Sequence, residues 1–126
     1  MAEKKETIVL VVDDEGSIRK LIRSYLKDIN LTNVIEAKDG EEAITILKRE
    51  EIDLIVSDLR MPRIDGLQLL EKVRANDRLK HIPFVMVTSS DEKEDIVAAM
   101  QAKVSQYIIK PFTAETFRSK LKAALK

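Results

Sequence analysis

The sequence predicts an α/β fold in which a parallel sheet is covered by helices on both faces. Three observations predict it. Short apolar runs rich in Val and Ile alternate with helix-period segments five times along the chain. Three of those runs, Ile8-Val9-Leu10-Val11-Val12, Leu54-Ile55-Val56 and Phe84-Val85-Met86-Val87, hardly alternate between apolar and polar, which suits strands buried on both faces. The links between runs and helices are short, so each strand should reach the next by a right-handed crossover.

The predicted strands cover residues 7–12, 33–37, 54–57, 84–88 and 107–109. The first helix carries Ile18, Leu21, Ile22, Tyr25, Leu26 and Ile29 on one stripe, the spacing of a single buried face. The second, about 40–49, opens with Asp39 and Glu42, a capping box. The third, about 66–75, follows Asp65, a good N-cap. The fourth, about 91–102, has Ser89 and Glu92 as another box. The last, about 114–125, follows Thr113 and carries Phe117, Leu121, Ala124 and Leu125 on one face. Five strands alternating with helices in this way match a flavodoxin-like, doubly wound (βα)5 sheet of order 2-1-3-4-5. The alternative is a fragment of a larger α/β domain.

Composition narrows the function. The 126 residues are 44% hydrophobic and 35% charged, which is globular, and they amount to one domain, 1–126. Lys plus Arg is 22 and Asp plus Glu is 22, so no net field draws nucleic acid or an anionic membrane. The chain has no Cys, which excludes disulfides and thiolate metal sites. The longest apolar run, Ile8 to Val12, is too short to span a bilayer, and Met1-Ala2-Glu3-Lys4-Lys5-Glu6 lacks the apolar region of a signal peptide. A cytoplasmic protein is expected, with neither nucleic acid nor membrane as a partner.

In doubly wound sheets, ligands bind beyond the carboxyl ends of the strands where strand order reverses, here between strands 1 and 3. Just past strand 1 stand Asp13 and Asp14, and past strand 3 stands Asp58. Strand 4 ends in Thr88, and strand 5 is followed by Lys110-Pro111. Taken singly, the aspartates read as helix caps or a loop acid, Thr88 as a strand-end hydroxyl and Lys110 as a loop lysine. Their joint placement at one end of four strands argues for a site. Two carboxylates about 5 Å apart repel by roughly 3 kcal/mol at an effective dielectric near 20, so they stay ionised together only by sharing a cation. All-oxygen ligands select a hard ion such as Mg²⁺. A metal, an ammonium and a hydroxyl around one carboxylate suit the holding and transfer of a phosphoryl group.

These residues resemble the receiver domain of two-component response regulators. The resemblance runs from about Thr7 to Leu125 and rests on Val11-Val12-Asp13-Asp14-Glu15, Ser57-Asp58-Leu59-Arg60-Met61-Pro62, Asp65-Gly66-Leu67, Val87-Thr88-Ser89 and Tyr107-Ile108-Ile109-Lys110-Pro111-Phe112. The stretches from Ile82 to Thr88 and from Lys110 to Ala114 bring the chain nearest to the single-domain chemotaxis regulators of that family. The resemblance implies that Asp58 is the phosphoryl acceptor. It implies that Asp13, Asp14, Asp58 and the backbone carbonyl of Arg60 hold Mg²⁺, with Asp13 acting mostly through a metal-bound water. Lys110 would pair with the phosphoryl oxygens, and Thr88 would hydrogen-bond the phosphoryl group. Tyr107 would rotate inward when Thr88 moves, altering the face made by helix 4, strand 5 and helix 5. A cis Lys110–Pro111 bond is implied as well. So are a histidine kinase as phosphodonor, an output partner such as a flagellar motor switch protein, a phosphatase as a further candidate partner, and a monomeric state. The product is a signalling switch with intrinsic autophosphorylation and autodephosphorylation rather than an enzyme with an external substrate.

Departures from the family pattern carry expectations of their own. Arg60 and Ser90 stand where residues flank the phosphoryl group and tune its lifetime, and Arg60 is expected to contact that group or block water. Glu15 is expected to cap the first helix or add to the metal site. Asn30 and Lys103 occupy usual glycine positions, and Lys103 is expected to be strained. His81 is expected to be exposed, and Met61, Met86 and Met100 to fill the core. Two other functions fit less well. A flavin binder wants a Ser-, Thr- and Gly-rich first loop, whereas this one carries Asp13-Asp14-Glu15. A haloacid-type phosphohydrolase wants a second Asp two residues after the nucleophile, where Arg60 stands. A phosphate sink or phosphorelay intermediate outside chemotaxis remains an alternative output, as does a phosphorylation-independent scaffold.

Overall fold

The computed structural model describes residues 6–126. The reading of the first residues as free of a signal segment falls mostly on 1–5 and so lies outside the described residues. Strands β1 (Ile8–Val12), β2 (Asn33–Ala37), β3 (Leu54–Ser57), β4 (Phe84–Thr88) and β5 (Gln106–Ile109) alternate with helices α1 (Gly16–Lys27), α2 (Gly40–Arg49), α3 (Gly66–Ala75), α4 (Lys93–Gln101) and α5 (Ala114–Leu125). The sheet is five-stranded, in the order β2-β1-β3-β4-β5, and each of its pairings is parallel. The doubly wound prediction therefore holds, including the reversal of strand order between β1 and β3.

Strand periodicity sorts the core into two layers. Leu10, Val12, Ile55, Phe84 and Met86 face one side, where α2 contributes Ala43, Ile46 and Leu47 and α3 contributes Leu69, Leu70 and Val73. Val9, Val11, Leu54, Val56, Val85 and Val87 face the other, where α1 contributes Ile22 and Leu26 and α5 contributes Phe117 and Leu121. The three continuous apolar strands are buried because both of their faces are covered. On the α1/α5 side, the rings of Tyr25, Phe112 and Phe117 pack against one another with centroids 5.6–5.9 Å apart.

The caps show where local rules decided and where they did not. Asp39 accepts the Glu42 N–H at 2.8 Å, and the Glu42 carboxylate turns back to accept the Lys38 N–H at 2.9 Å. Asp65 and Gln68 form a full reciprocal box on α3. The Ser89–Glu92 box is a correction: α4 starts two residues later than predicted, Glu92 takes the N-cap position and no side chain caps it. Ser90 and Asp95 bond to each other there instead, which removes Asp95 from capping duty. Glu15 likewise occupies the α1 N-cap without a side-chain bond, which corrects its expected capping role. Met61 and Met86 are buried as expected, whereas Met100 is 65% exposed on α4 and is no core filler. Asn30 (φ 64°) and Lys103 (φ 68°) adopt left-handed backbone, and Arg63 (φ 66°) does so without any sequence warning. Among the described residues, no helix is long and apolar enough to cross a membrane.

Candidate functional site

Backbone pairing carries the acids to one rim. The Asp13 N–H donates to the Ala37 carbonyl at 3.1 Å and the Asp58 N–H to the Val12 carbonyl at 2.9 Å, continuing the β1–β2 and β1–β3 ladders one residue past each strand. The Lys110 N–H donates to the Thr88 carbonyl at 2.8 Å, doing the same for β4 and β5. The Lys110–Pro111 peptide bond is cis, as the resemblance implied.

Ligand oxygens of Asp13, Asp14 and Asp58 lie within 4.8 Å of one another. Asp13 is fully buried and Asp58 nearly so, while Asp14 is exposed at the mouth. Lys110 Nζ lies 3.2 Å from Asp13 Oδ2 and 3.6 Å from Asp58 Oδ2. One Asp58 oxygen accepts the Leu59 N–H at 2.7 Å, and the main-chain amide of Arg60 lies close enough to favour the carboxylate's charge. Burial is the main influence on Asp58 and pushes its carboxyl above the ordinary value, Asp13 adds to the rise, and Lys110 with the two amides opposes it. One ammonium thus pairs with two of the three carboxylates. Closely spaced acid oxygens without a soft ligand fit a hard divalent ion such as Mg²⁺, so the residues present suit the group that the fold implies.

Thr88 is buried at the end of β4, where its Oγ1 accepts the Ser90 N–H at 3.2 Å. The Tyr107 hydroxyl donates to the Ser90 carbonyl at 2.9 Å, and burial, foremost, raises its ionisation above the ordinary value. The Arg60 side chain does not point to solvent alone. It pairs with Asp95 on α4 at 2.6 Å, and the same Asp95 oxygen accepts the Ser90 hydroxyl. Of the predicted residues, Asp13, Asp14, Asp58 and Lys110 converge directly. Thr88, Ser90, Tyr107 and Arg60 form a hydrogen-bonded flank beside them.

Sequence reasoning missed three supports. Gly66, at the start of α3, lets the acceptor loop pass against the helix: a Cβ there would stand 2.1 Å from the Asp58 carbonyl oxygen. Arg19 donates to the Asp13 carbonyl at 2.6 Å and pairs with Glu36 at 2.8 Å, bracing the first acidic loop from below. Asp95 had no signal at all, being 35 positions from the arginine that it meets. Gly66 alone could have been found, because a glycine heading a helix just after a candidate nucleophile suggests close backbone approach.

The comparisons agree with this geometry. The chain is 41% identical over 117 residues to the chemotaxis protein CheY-3 of Vibrio cholerae, covering 93% of this chain and 90% of the relative. It is 42% identical over 113 residues to the chemotaxis protein CheY of Pseudomonas aeruginosa, covering 90% and 91%. The solved structure of chemotaxis protein CheY4 of Vibrio cholerae superposes with a TM-score of 0.88 at 30% identity, over 96% of this chain and 100% of that one. Residues 9–122 match the response regulator receiver domain, and the chain belongs to that family of two-component signalling proteins.

Proposed function

We propose that this chain is a phosphorylation-driven switch that accepts a phosphoryl group on Asp58. One observation carries the reading: a nearly buried carboxylate, held by a main-chain amide, sits between two further acids and a lysine. An Asp58 oxygen attacks phosphorus, and the bond from phosphorus to its donor, a kinase histidine nitrogen or an acyl-phosphate oxygen, breaks. Lys110 offers a positive charge to the phosphoryl oxygens. Mg²⁺, held by Asp13, Asp14, Asp58 and the Arg60 carbonyl, would neutralise the remaining negative charge. Hydrolysis by water later returns the carboxylate and inorganic phosphate, so the chain turns over its own phosphoryl group and serves as a signal rather than as an enzyme.

The new dianion accepts a hydrogen bond from the Thr88 hydroxyl and draws that residue inward, and Tyr107 repacks against the space that opens. The face of α4, β5 and α5 then presents a different surface to an output partner. The chemotaxis names of relatives at 41–42% identity support a histidine kinase of that pathway as donor and a flagellar motor switch protein as output, with a phosphatase completing the cycle in the cytoplasm. We take the working form to be a monomer. The test is incubation with acetyl phosphate and Mg²⁺ followed by intact-mass measurement. The wild type should gain one phosphoryl group and Asp58→Ala none. An unchanged mass for the wild type would remove the proposal.

A further inference from the structure

We propose that Asp95 is a positioning residue of this switch. It holds the Arg60 guanidinium away from the acceptor pocket and shares the oxygen that does so with Ser90. The inference rests on Asp58 being the acceptor, as argued above.

Arg60 stands two residues after the acceptor, on the same loop. Its side chain nevertheless leaves the pocket and reaches α4, where Nη2 lies 2.6 Å from Asp95 Oδ2. That oxygen also receives the Ser90 hydroxyl. Ser90 then branches. Its N–H donates to Thr88 Oγ1 at 3.2 Å, and its carbonyl accepts the Tyr107 hydroxyl at 2.9 Å. A connected polar strap therefore runs from the loop after β3, over the start of α4, to the end of β4 and into β5. The arrangement is specific to these side chains: a neutral residue at 95 could not hold Arg60, and a residue without a hydroxyl at 90 could not share the same oxygen.

The strap opposes what phosphorylation requires. A phosphoryl group on Asp58 carries roughly −1.5 to −2 charge and presents acceptors that suit a guanidinium, so it competes with Asp95 for Arg60. Thr88 Oγ1 accepts the Ser90 N–H, so its own proton stays free to bond the phosphoryl group without breaking the strap. The contest for Arg60 therefore frees Asp95, the oxygen of which otherwise receives both Arg60 and the Ser90 hydroxyl. Asp95 thus sets the resting bias of the switch although it does not belong to the acidic pocket. The Arg60–Asp95 pair is largely exposed on the arginine side, which keeps the bias modest and reversible.

Asp95→Asn tests the inference, because asparagine keeps an acceptor for Ser90 and removes the charge that holds Arg60. The full chain is titrated with beryllofluoride in the presence of Mg²⁺, with the ring resonances of Tyr107 followed by NMR. The half-saturating concentration should fall about two- to five-fold, the range of an exposed ion pair. Asp95→Ser should act in the same direction. The decisive arm is a double-mutant cycle: in an Arg60→Gln background, Asp95→Asn should have no further effect on affinity. Wild-type binding with unchanged affinity in Asp95→Asn, or an equal effect in both backgrounds, overturns the inference and leaves the acceptor reading intact. Failure of the wild type to bind overturns both.

Discussion

The chain has three glycines, and each is the first residue of a helix: Gly16 in α1, Gly40 in α2 and Gly66 in α3. Replacing each with Ala gives an internally controlled experiment, because the helical context is shared and only the surroundings differ. Ala narrows the unfolded ensemble and favours helix, a gain of about 0.4–1 kcal/mol where the site has room. At Gly16 the nearest atom to an added Cβ is a flexible Arg19 nitrogen at 3.5 Å, so Gly16→Ala should stabilise by about 0.5 kcal/mol. At Gly40 the Cβ would meet the Ile64 carbonyl oxygen at 2.6 Å and two Ile64 side-chain carbons at 2.8 Å. At Gly66 it would stand 2.1 Å from the Asp58 carbonyl oxygen and 2.9 Å from both Leu59 Cα and Met86 Sδ. Two of those three atoms are backbone and cannot swing aside. Overpacking of this kind costs about 1–3 kcal/mol, which outweighs the helix gain. The order of urea midpoints should therefore be Gly16→Ala above wild type, then Gly40→Ala, then Gly66→Ala. Because the atoms displaced at Gly66 are those of the acceptor residue, Gly66→Ala should also weaken beryllofluoride binding, and Gly16→Ala should not. A Gly66→Ala protein as stable as the wild type would refute the claim that this glycine exists to admit the acceptor loop.

Asp58→Asn should abolish phosphoryl uptake yet raise metal-free stability by about 1 kcal/mol at neutral pH, since it removes a charge that burial and Asp13 disfavour; equal urea midpoints without metal would contradict this. Lys103→Gly should stabilise by about 0.5 kcal/mol, as relief of left-handed strain exceeds the entropy that glycine adds to the unfolded chain, and the Arg74 bond to the Lys103 carbonyl at 3.0 Å survives; a lower melting temperature would count against it. Glu36 is held below the ordinary carboxylate value, chiefly by its hydrogen bond to Arg19, with burial opposing. A depressed folded-state value means that the stabilisation is present above the unfolded value near 4.5 and is lost as the pH falls through the folded one. Glu36→Gln should accordingly flatten the acid limb of stability against pH, and an unaltered limb would argue that the Arg19–Glu36 brace contributes nothing.

The legibility of this chain follows from the range over which each feature is decided. Strand identity was readable because β1, β3 and β4 bury both faces, and no polar residue interrupts them until the sheet ends. The site begins where the strands end, so Asp13 and Asp58 were found by reading the residue just past strands 1 and 3, and Thr88 as the end of strand 4. Left-handed backbone was readable at Asn30 and Lys103 only against a family pattern, and at Arg63 it was not, because a loop's turn depends on what it packs against. The start of α4 was misplaced for a related reason. The helix begins at Lys93, with Glu92 at its N-cap, so Ser89 lies too far upstream to cap it, and Asp95 bonds Ser90 instead.

Long-range side-chain pairing is the layer that local patterns do not encode. Arg60 finds Asp95, Arg19 finds Glu36, and Arg74 finds the Lys103 and Ile82 carbonyls, each across a separation that the crossovers create. These pairings surround the legible acids without overlapping them. The division has a physical basis. The acids must stand where the sheet's topology opens a cleft, which any sequence with this strand order would share. How readily a phosphoryl group on Asp58 could reorganise its surroundings depends instead on which partners already occupy the neighbouring donors. In this chain Arg60, the donor side chain next to the pocket, is engaged at rest by Asp95, while Thr88 Oγ1 accepts the Ser90 N–H. Two receivers with identical acids and unlike residues at positions 60, 90 and 95 should therefore differ in how far the resting state is biased, while sharing the chemistry of the acceptor itself.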